Sequence, residues 1–296
     1  MSELWWLWAL CSSVLMSMMI YANQIFKMPS SLMMTYRGLV QSLLLLPFFP
    51  FFEAPQTPWF WLLGIIQGIM IAYSDKKVFL CSRLFGGEIV ASLKPYVIFL
   101  VFVLWLIIKP SQFFALLDEP LRFALIVLCL AGVICSLRAI CKGKASKEAL
   151  IMLLPAFLVA AFIDTNNKYM TTLGASAGLP SAIFYYCWIT ALVSGLPNAI
   201  KFCCHRDWRL AFAPRHVVGG LVVVACSVCS NIFKNTAMFY TKNPAYVAAV
   251  MSLYPVWIII WNNFYFRLKN AEQYPRCNLA AVSLLLTAVI ALILLQ

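Results

Sequence analysis

The sequence predicts an all-α membrane protein of ten transmembrane helices, arranged as two inverted five-helix repeats, residues 1–145 and 146–296. Three observations lead there: too few polar residues to make a water-facing skin, apolar runs of span length, and short matches that recur in the same order in both halves. The chain of 296 residues is 64% hydrophobic and 11% charged, where a soluble domain has roughly half and about a quarter.

The runs are roughly 20 residues long, enough for one helix to cross about 30 Å of hydrocarbon. They place spans at 4–26, 30–52, 58–80, 86–108, 120–140, 148–170, 178–200, 216–240, 244–266 and 275–295. Short polar links such as Glu53-Ala54-Pro55-Gln56-Thr57-Pro58 and Lys142-Gly143-Lys144 make neighbouring spans antiparallel. Pro47, Pro95, Pro155, Pro197 and Pro255 lie inside runs and argue against strands, and the run lengths exclude barrel strands. The first span is not read as a cleaved leader, because Met1-Ser2-Glu3 holds no basic residue and no small-x-small site follows. Leu10 likewise spoils the lipoprotein-like Leu7-Trp8-Ala9-Leu10-Cys11.

Loop charge sets an expected orientation. On the side of the N-terminus, side A, the loops hold Lys109, Arg122 and Lys242, diluted by Glu53, Asp118 and Glu119. The opposite side B holds Lys27, Arg83, Arg138, Lys142, Lys144, Lys147, Lys201, Arg206, Arg209, Arg215, Arg267, Lys269 and Arg276. The positive-inside rule then puts side B in the cytoplasm and both termini outside. The same asymmetry accounts for the net charge of +12 without nucleic acid as a partner. Cys81, Cys141, Cys203, Cys204 and Cys277 also fall on side B, where a reducing cytoplasm keeps thiols free. Cys226-x-x-Cys229 is mid-span and reads as a pair of small hydrophobes. Cys203-Cys204-His205 lacks a fourth ligand, so no metal site is expected.

The repeats rest on short matches. Ala91-Ser92-Leu93-Lys94-Pro95 in the fourth span parallels Met251-Ser252-Leu253-Tyr254-Pro255 in the ninth. Tyr36 and Pro47 recur at the same separation as Tyr186 and Pro197, and Asp75 falls opposite Asn235. Five spans per half is an odd number, so the halves must face opposite ways, a plan that encloses a midplane site in many transporters.

With these features the chain resembles the drug/metabolite transporter superfamily, most closely its EamA-like branch. The resemblance rests on total length, the repeat plan, a Ser-Leu-x-Pro element in each repeat, and Met34-Thr35-Tyr36-Arg37-Gly38-Leu39, which looks like the family's arginine-bearing second span. It implies alternating access around a central cavity, a small-molecule substrate and a bacterial inner-membrane setting. It departs from the branch in orientation, because members keep both termini in the cytoplasm.

Charged residues inside spans carry the functional expectation, since each costs about 2.5–3.5 kcal/mol at a span centre. Lys76, Lys77 and Glu88 lie near side B and Lys168 near side A, within snorkelling reach. Lys94 sits mid-span before Pro95, which frees a carbonyl and kinks the helix. Asn231, Lys234 and Asn235 share one face. Lys94 and Lys234 either bind the solute or pair with Asp75, Asp164 or Glu88. Asp164 and Lys168 are spaced for an ion pair, with proton coupling as the functional alternative, and Arg37 with Gln41 could hold an acidic group or pair with Asp75. Tyr186 and Tyr254 line the cavity or fill helix interfaces, and Gly64-x-x-x-Gly68 permits close packing.

The deeper charges balance slightly positive, which favours an anionic or zwitterionic solute. The expected site is therefore Lys94, Lys234, Arg37, Asn235, Tyr254 and Tyr186, with Asp75, Asp164 and Lys168 in coupling or charge pairing. No nucleotide loop, zinc motif or nucleophile elbow is present, so the expectation is a secondary transporter driven by a proton or counter-solute gradient, with no catalytic residues and no cofactor. A lipid-headgroup flippase and a non-transporting membrane component are the alternatives.

Overall fold

The computed structural model describes residues 4–85, 95–141, 147–204, 208–268 and 278–296. Among them every regular element is helical. In chain order these are α1 (Trp5–Phe26), α2 (Ser30–Phe51), α3 (Pro58–Phe85), α4 (Tyr96–Ile108), α5 (Pro110–Leu117), α6 (Pro120–Cys141), α7 (Lys147–Gly174), α8 (Leu179–Cys204), α9 (Pro214–Tyr240), α10 (Pro244–Met251), α11 (Tyr254–Leu268) and α12 (Leu279–Leu295). Single turns at Ala175–Ala177 and Trp208–Ala211 complete the set.

Many helix starts are written in the sequence. Pro58, Pro110, Pro120, Pro214 and Pro244 each open a helix, where a missing N–H costs nothing and φ is already helical. Asn243 and Asn278 cap α10 and α12 by accepting from the N–H groups of Ala245 (2.9 Å) and Ala281 (3.2 Å). Gly178, at φ 90°, makes the turn into α8.

The chain is an all-α, multi-pass membrane protein. Among the described residues seven helical segments are long and apolar enough to cross a bilayer, or eight if the bent pair α4–α5 makes one span. The polarity of the bundle is inverted relative to a soluble protein. Leu43, Ile69, Ile107, Leu128 and Ile290 are exposed on the outside, while Ser12, Ser13, Ser17, Gln41, Gln67 and Asn235 are buried inside. Serines then bind helices together. Ser12 and Ser230 exchange side-chain and carbonyl hydrogen bonds between α1 and α9, and Ser13 donates to the Met251 carbonyl of α10 at 3.1 Å.

The principal helix pairs are α1–α9, α3–α7, α6–α12, α3–α8, α2–α8, α2–α9, α4–α7, α4–α10, α7–α8, α7–α9, α8–α9 and α1 with α10 and α11. Gly64 and Gly68 let α3 lie against Ile189 and Val193 of α8, as their spacing predicts. Several irregularities fall in spans: α2 ends in a 3-10 stretch at Leu46–Phe51, and Pro155 and Pro197 lie inside α7 and α8. Tyr36–Val40 within α2 is a π-helical turn, and the ninth apolar run breaks at Ser252–Leu253 before resuming at Tyr254. The matching fourth run resumes at Tyr96 after Pro95, while Glu88 and Lys94 lie outside the described residues.

Candidate functional site

The site forms where α2 and α8 cross. At the crossing there is no room for side chains: a Cβ on Gly38 would sit 2.2 Å from the Gly195 Cα, and one on Gly195 would sit 2.3 Å from the Leu39 nitrogen. Gly38 lies inside the π-helical turn, a bulge that recurs at functional sites because it re-aims the flanking side chains. Those neighbours, Arg37 and Gln41, face a polar cavity with Met34, Ile71, Tyr186, Thr190, Ala191, Ser194, Ser227 and Asn231. The cavity is about 40 Å³. That is room for a few waters, well below the several hundred Å³ of a metabolite pocket.

Arg37 is the charged group of this wall. Its Nη1 donates to Asp75 Oδ2 at 3.2 Å, with both side chains about a quarter exposed (27% and 25%). That is a single, end-on contact, whereas a guanidinium has five donors and is best matched by a two-oxygen fork. The Tyr186 wall is held by a chain across three helices. Asn166 Nδ2 of α7 donates to Gln67 Oε1 of α3, and Gln67 Nε2 donates to Tyr186 Oη of α8, each at 2.5 Å. The hydroxyls of Thr190 and Ser194 donate to the carbonyls of Tyr186 (2.7 Å) and Ala191 (3.3 Å).

Lys234 lies elsewhere. It donates to Asp164 Oδ1 at 2.6 Å, with both side chains less than a fifth exposed (17% and 18%). It is absent from the described cavity wall, although Asn231, one turn away on α9, is part of it. Asn235 is fully buried behind that face, donating to the Asn231 carbonyl at 2.8 Å. Tyr254 opens α11 and is outside the wall as well. Tyr36, the sequence counterpart of Tyr186, packs on Gly220 and donates to the Ala211 carbonyl at 2.8 Å, away from the cavity. Lys94 lies outside the described residues.

The pairing expected within α7 is replaced. Asp164 takes Lys234, and Lys168 turns instead to the end of α9, donating to the carbonyls of Met238 (2.8 Å) and Thr241 and lying 5.5 Å above the Trp105 ring. Spacing of four allows the intrahelical pair, but the last carbonyls of α9 have no partner in their own helix and attract a cation. Lys168 is therefore buried rather than snorkelling. Around it, Trp105 donates to Gln112 Oε1, Gln112 to the Lys242 carbonyl, and Thr241 to Gln296 Oε1, which ties α4, α5, α9 and α12 at one end of the bundle.

Sequence reasoning named Arg37, Gln41, Tyr186 and Asn231 but missed Thr190, Ser194, Ser227, Gln67 and Asn166. Uncharged polar residues raise no alarm inside a span, and only their convergence marks them. Among the described residues no cluster of His, Cys, Asp or Glu could hold a metal ion. Comparison of the sequence with protein-family models and with curated proteins found no match.

Proposed function

We propose that the protein is a secondary transporter of small organic anions or zwitterions, working by alternating access through the cavity at the α2–α8 crossing. The observation that carries this reading is an arginine with unused donors, set in a polar cavity deep among spans, on a π-helical turn beside a glycine-to-glycine crossing. A guanidinium that gives one of its five donors to a carboxylate keeps the others for a ligand. At about 40 Å³ the cavity is too small for a metabolite, and solute enters when α2 and α8 move apart.

Ten spans in two inverted repeats fit the helix plan. The seven long apolar segments and the bent pair are joined by α3, whose apolar run is diluted by Gln67, Asp75, Lys76 and Lys77, and by the shorter apolar α12. Exchanging each span of residues 1–145 with its equivalent in 146–296 turns α1–α9 into α3–α7 and α3–α8 into α2–α9. The pairs α2–α8, α4–α10 and α6–α12 map onto themselves, whereas α7–α8, α7–α9 and α8–α9 have no comparable counterpart among the described first-half helices. That correspondence supports the resemblance to the EamA-like drug/metabolite transporters and alternating access by rocking.

The flippase alternative needs a groove leading from the polar cavity to lipid. The apolar hollow of about 420 Å³ between α4, α5 and α6, lined by Phe99, Phe102, Leu106, Phe113, Phe123 and Val127, shares no residue with the polar one. Purified protein in liposomes, offered mixed labelled amino acids and organic acids, should accumulate some of them above protein-free vesicles. Retention equal to empty vesicles for every compound overturns the reading in favour of a non-transporting component. The loop charges further predict that a reporter active only in the cytoplasm, fused after Gln296, stays silent; activity there reverses the orientation.

A further inference from the structure

Gln41 lines the cavity one helical turn from Arg37 and is 1% exposed, yet its Oε1 accepts no hydrogen bond. Burying an amide oxygen without a partner is costly, and native structures rarely keep such a group without a reason. Its neighbours have the same bias. Thr190 and Ser194 direct their hydroxyl protons to carbonyls of their own helix, so toward the cavity they offer lone pairs only. On the part of the wall around Arg37, the guanidinium supplies donors and Gln41 Oε1, Thr190 and Ser194 supply acceptors, while Tyr186, Ser227 and Asn231 can do either.

We infer that the solute is an acid bearing an N–H or O–H donor on the carbon next to its acid group, an amino or hydroxy acid, with the acid on Arg37 and the donor on Gln41. This rests on the transporter reading and narrows it. Residues four apart on a helix have Cβ atoms about 5–6 Å apart, so two side chains converging on one small cavity meet the same end of a solute. The cavity has room there for a few waters. A simple carboxylic acid would strand the acceptors once such waters leave, which is the penalty that lets a hydrogen-bonding site reject an analogue lacking the group.

The test uses matched triplets that differ only at that carbon: L-alanine, L-lactate and propionate, then L-phenylalanine, phenyllactate and phenylpropionate. Affinity is read from the rise in thermal stability of the purified full-length protein with ligand concentration. The amino or hydroxy member should bind about ten- to a hundred-fold more tightly than the plain acid of its triplet. Gln41→Met should lose that preference while still binding acids, and Arg37→Met should lose binding of the whole triplet. Equal affinity within triplets in the wild type overturns the inference and leaves the acid-binding transporter standing. No binding of any member, together with no uptake from the mixture, overturns both. A preference that survives in Gln41→Met removes Gln41 from the role. The wild-type comparison decides the solute class even if a variant does not fold.

Discussion

Two ion pairs cross the interior, and they are built differently. Lys234 and Asp164 join α9 to α7 at 2.6 Å, both well buried and both off the cavity wall. Arg37 and Asp75 join α2 to α3 at 3.2 Å, more open, through one nitrogen and one oxygen, with Arg37 on the wall. A lysine is a compact point charge that one carboxylate can neutralise, while arginine's planar fork is left largely unused by a single contact. The first pair holds two helices together. On the transporter reading proposed above, the second leaves a cation able to exchange its partner for a solute. On that reading incomplete pairing, rather than position within an apolar run, marks the binding residue.

The largest effect expected from this contrast is at the closed pair. Lys234→Met strands the Asp164 carboxylate and should cost about 3–5 kcal/mol, seen as a large fall in thermal stability. The double variant Lys234→Met with Asp164→Leu should recover most of that stability and keep transport. A double variant that is stable but transport-dead would move Lys234 into the solute path and erase the contrast. Next is the crossing itself: Gly195→Ala puts a Cβ into the α2 backbone and should cost about 1–3 kcal/mol or more. Gly132→Ala, where the nearest atom is the Ala288 Cβ at 3.4 Å, should be close to neutral in the same thermal measurement. Smaller in stability is Arg37→Met paired with Asp75→Asn. Because neither partner is left stranded, removing both should cost little stability and abolish uptake in liposomes. Transport that persists there would make the two pairs equivalent.

Much of this architecture is legible in the amino acids. Apolar runs bounded by Pro58, Pro120, Pro214 and Pro244 announce their helices, because at a helix start proline's missing N–H costs nothing and its φ is already helical. Arg37, Asp75, Asp164 and Lys234 announce themselves through the cost of charge in hydrocarbon. Which charge meets which is not legible, since that depends on how helices pack. The spacing of Asp164 and Lys168 points to a local pair, while a neighbouring helix end and a neighbouring lysine outcompete it. Gly38 and Gly195 look like any other glycines until their backbones touch. Thr190, Ser194 and Ser227 become a wall only when α8 and α9 bring them beside Arg37.

The central claim is that the cavity at the α2–α8 crossing opens to the two sides of the membrane in turn. Ser227 is on its wall and buried, so the direct measurement is labelling of Ser227→Cys, in a background cleared of the native cysteines, by a membrane-impermeant maleimide. The reagent is applied to right-side-out vesicles and, separately, to inverted ones. Alternating access predicts labelling from each side, with slower labelling when a bound amino or hydroxy acid occupies the cavity. A cysteine that stays unreactive from both sides, in protein shown to be folded, would make the cavity a sealed void and contradict the account.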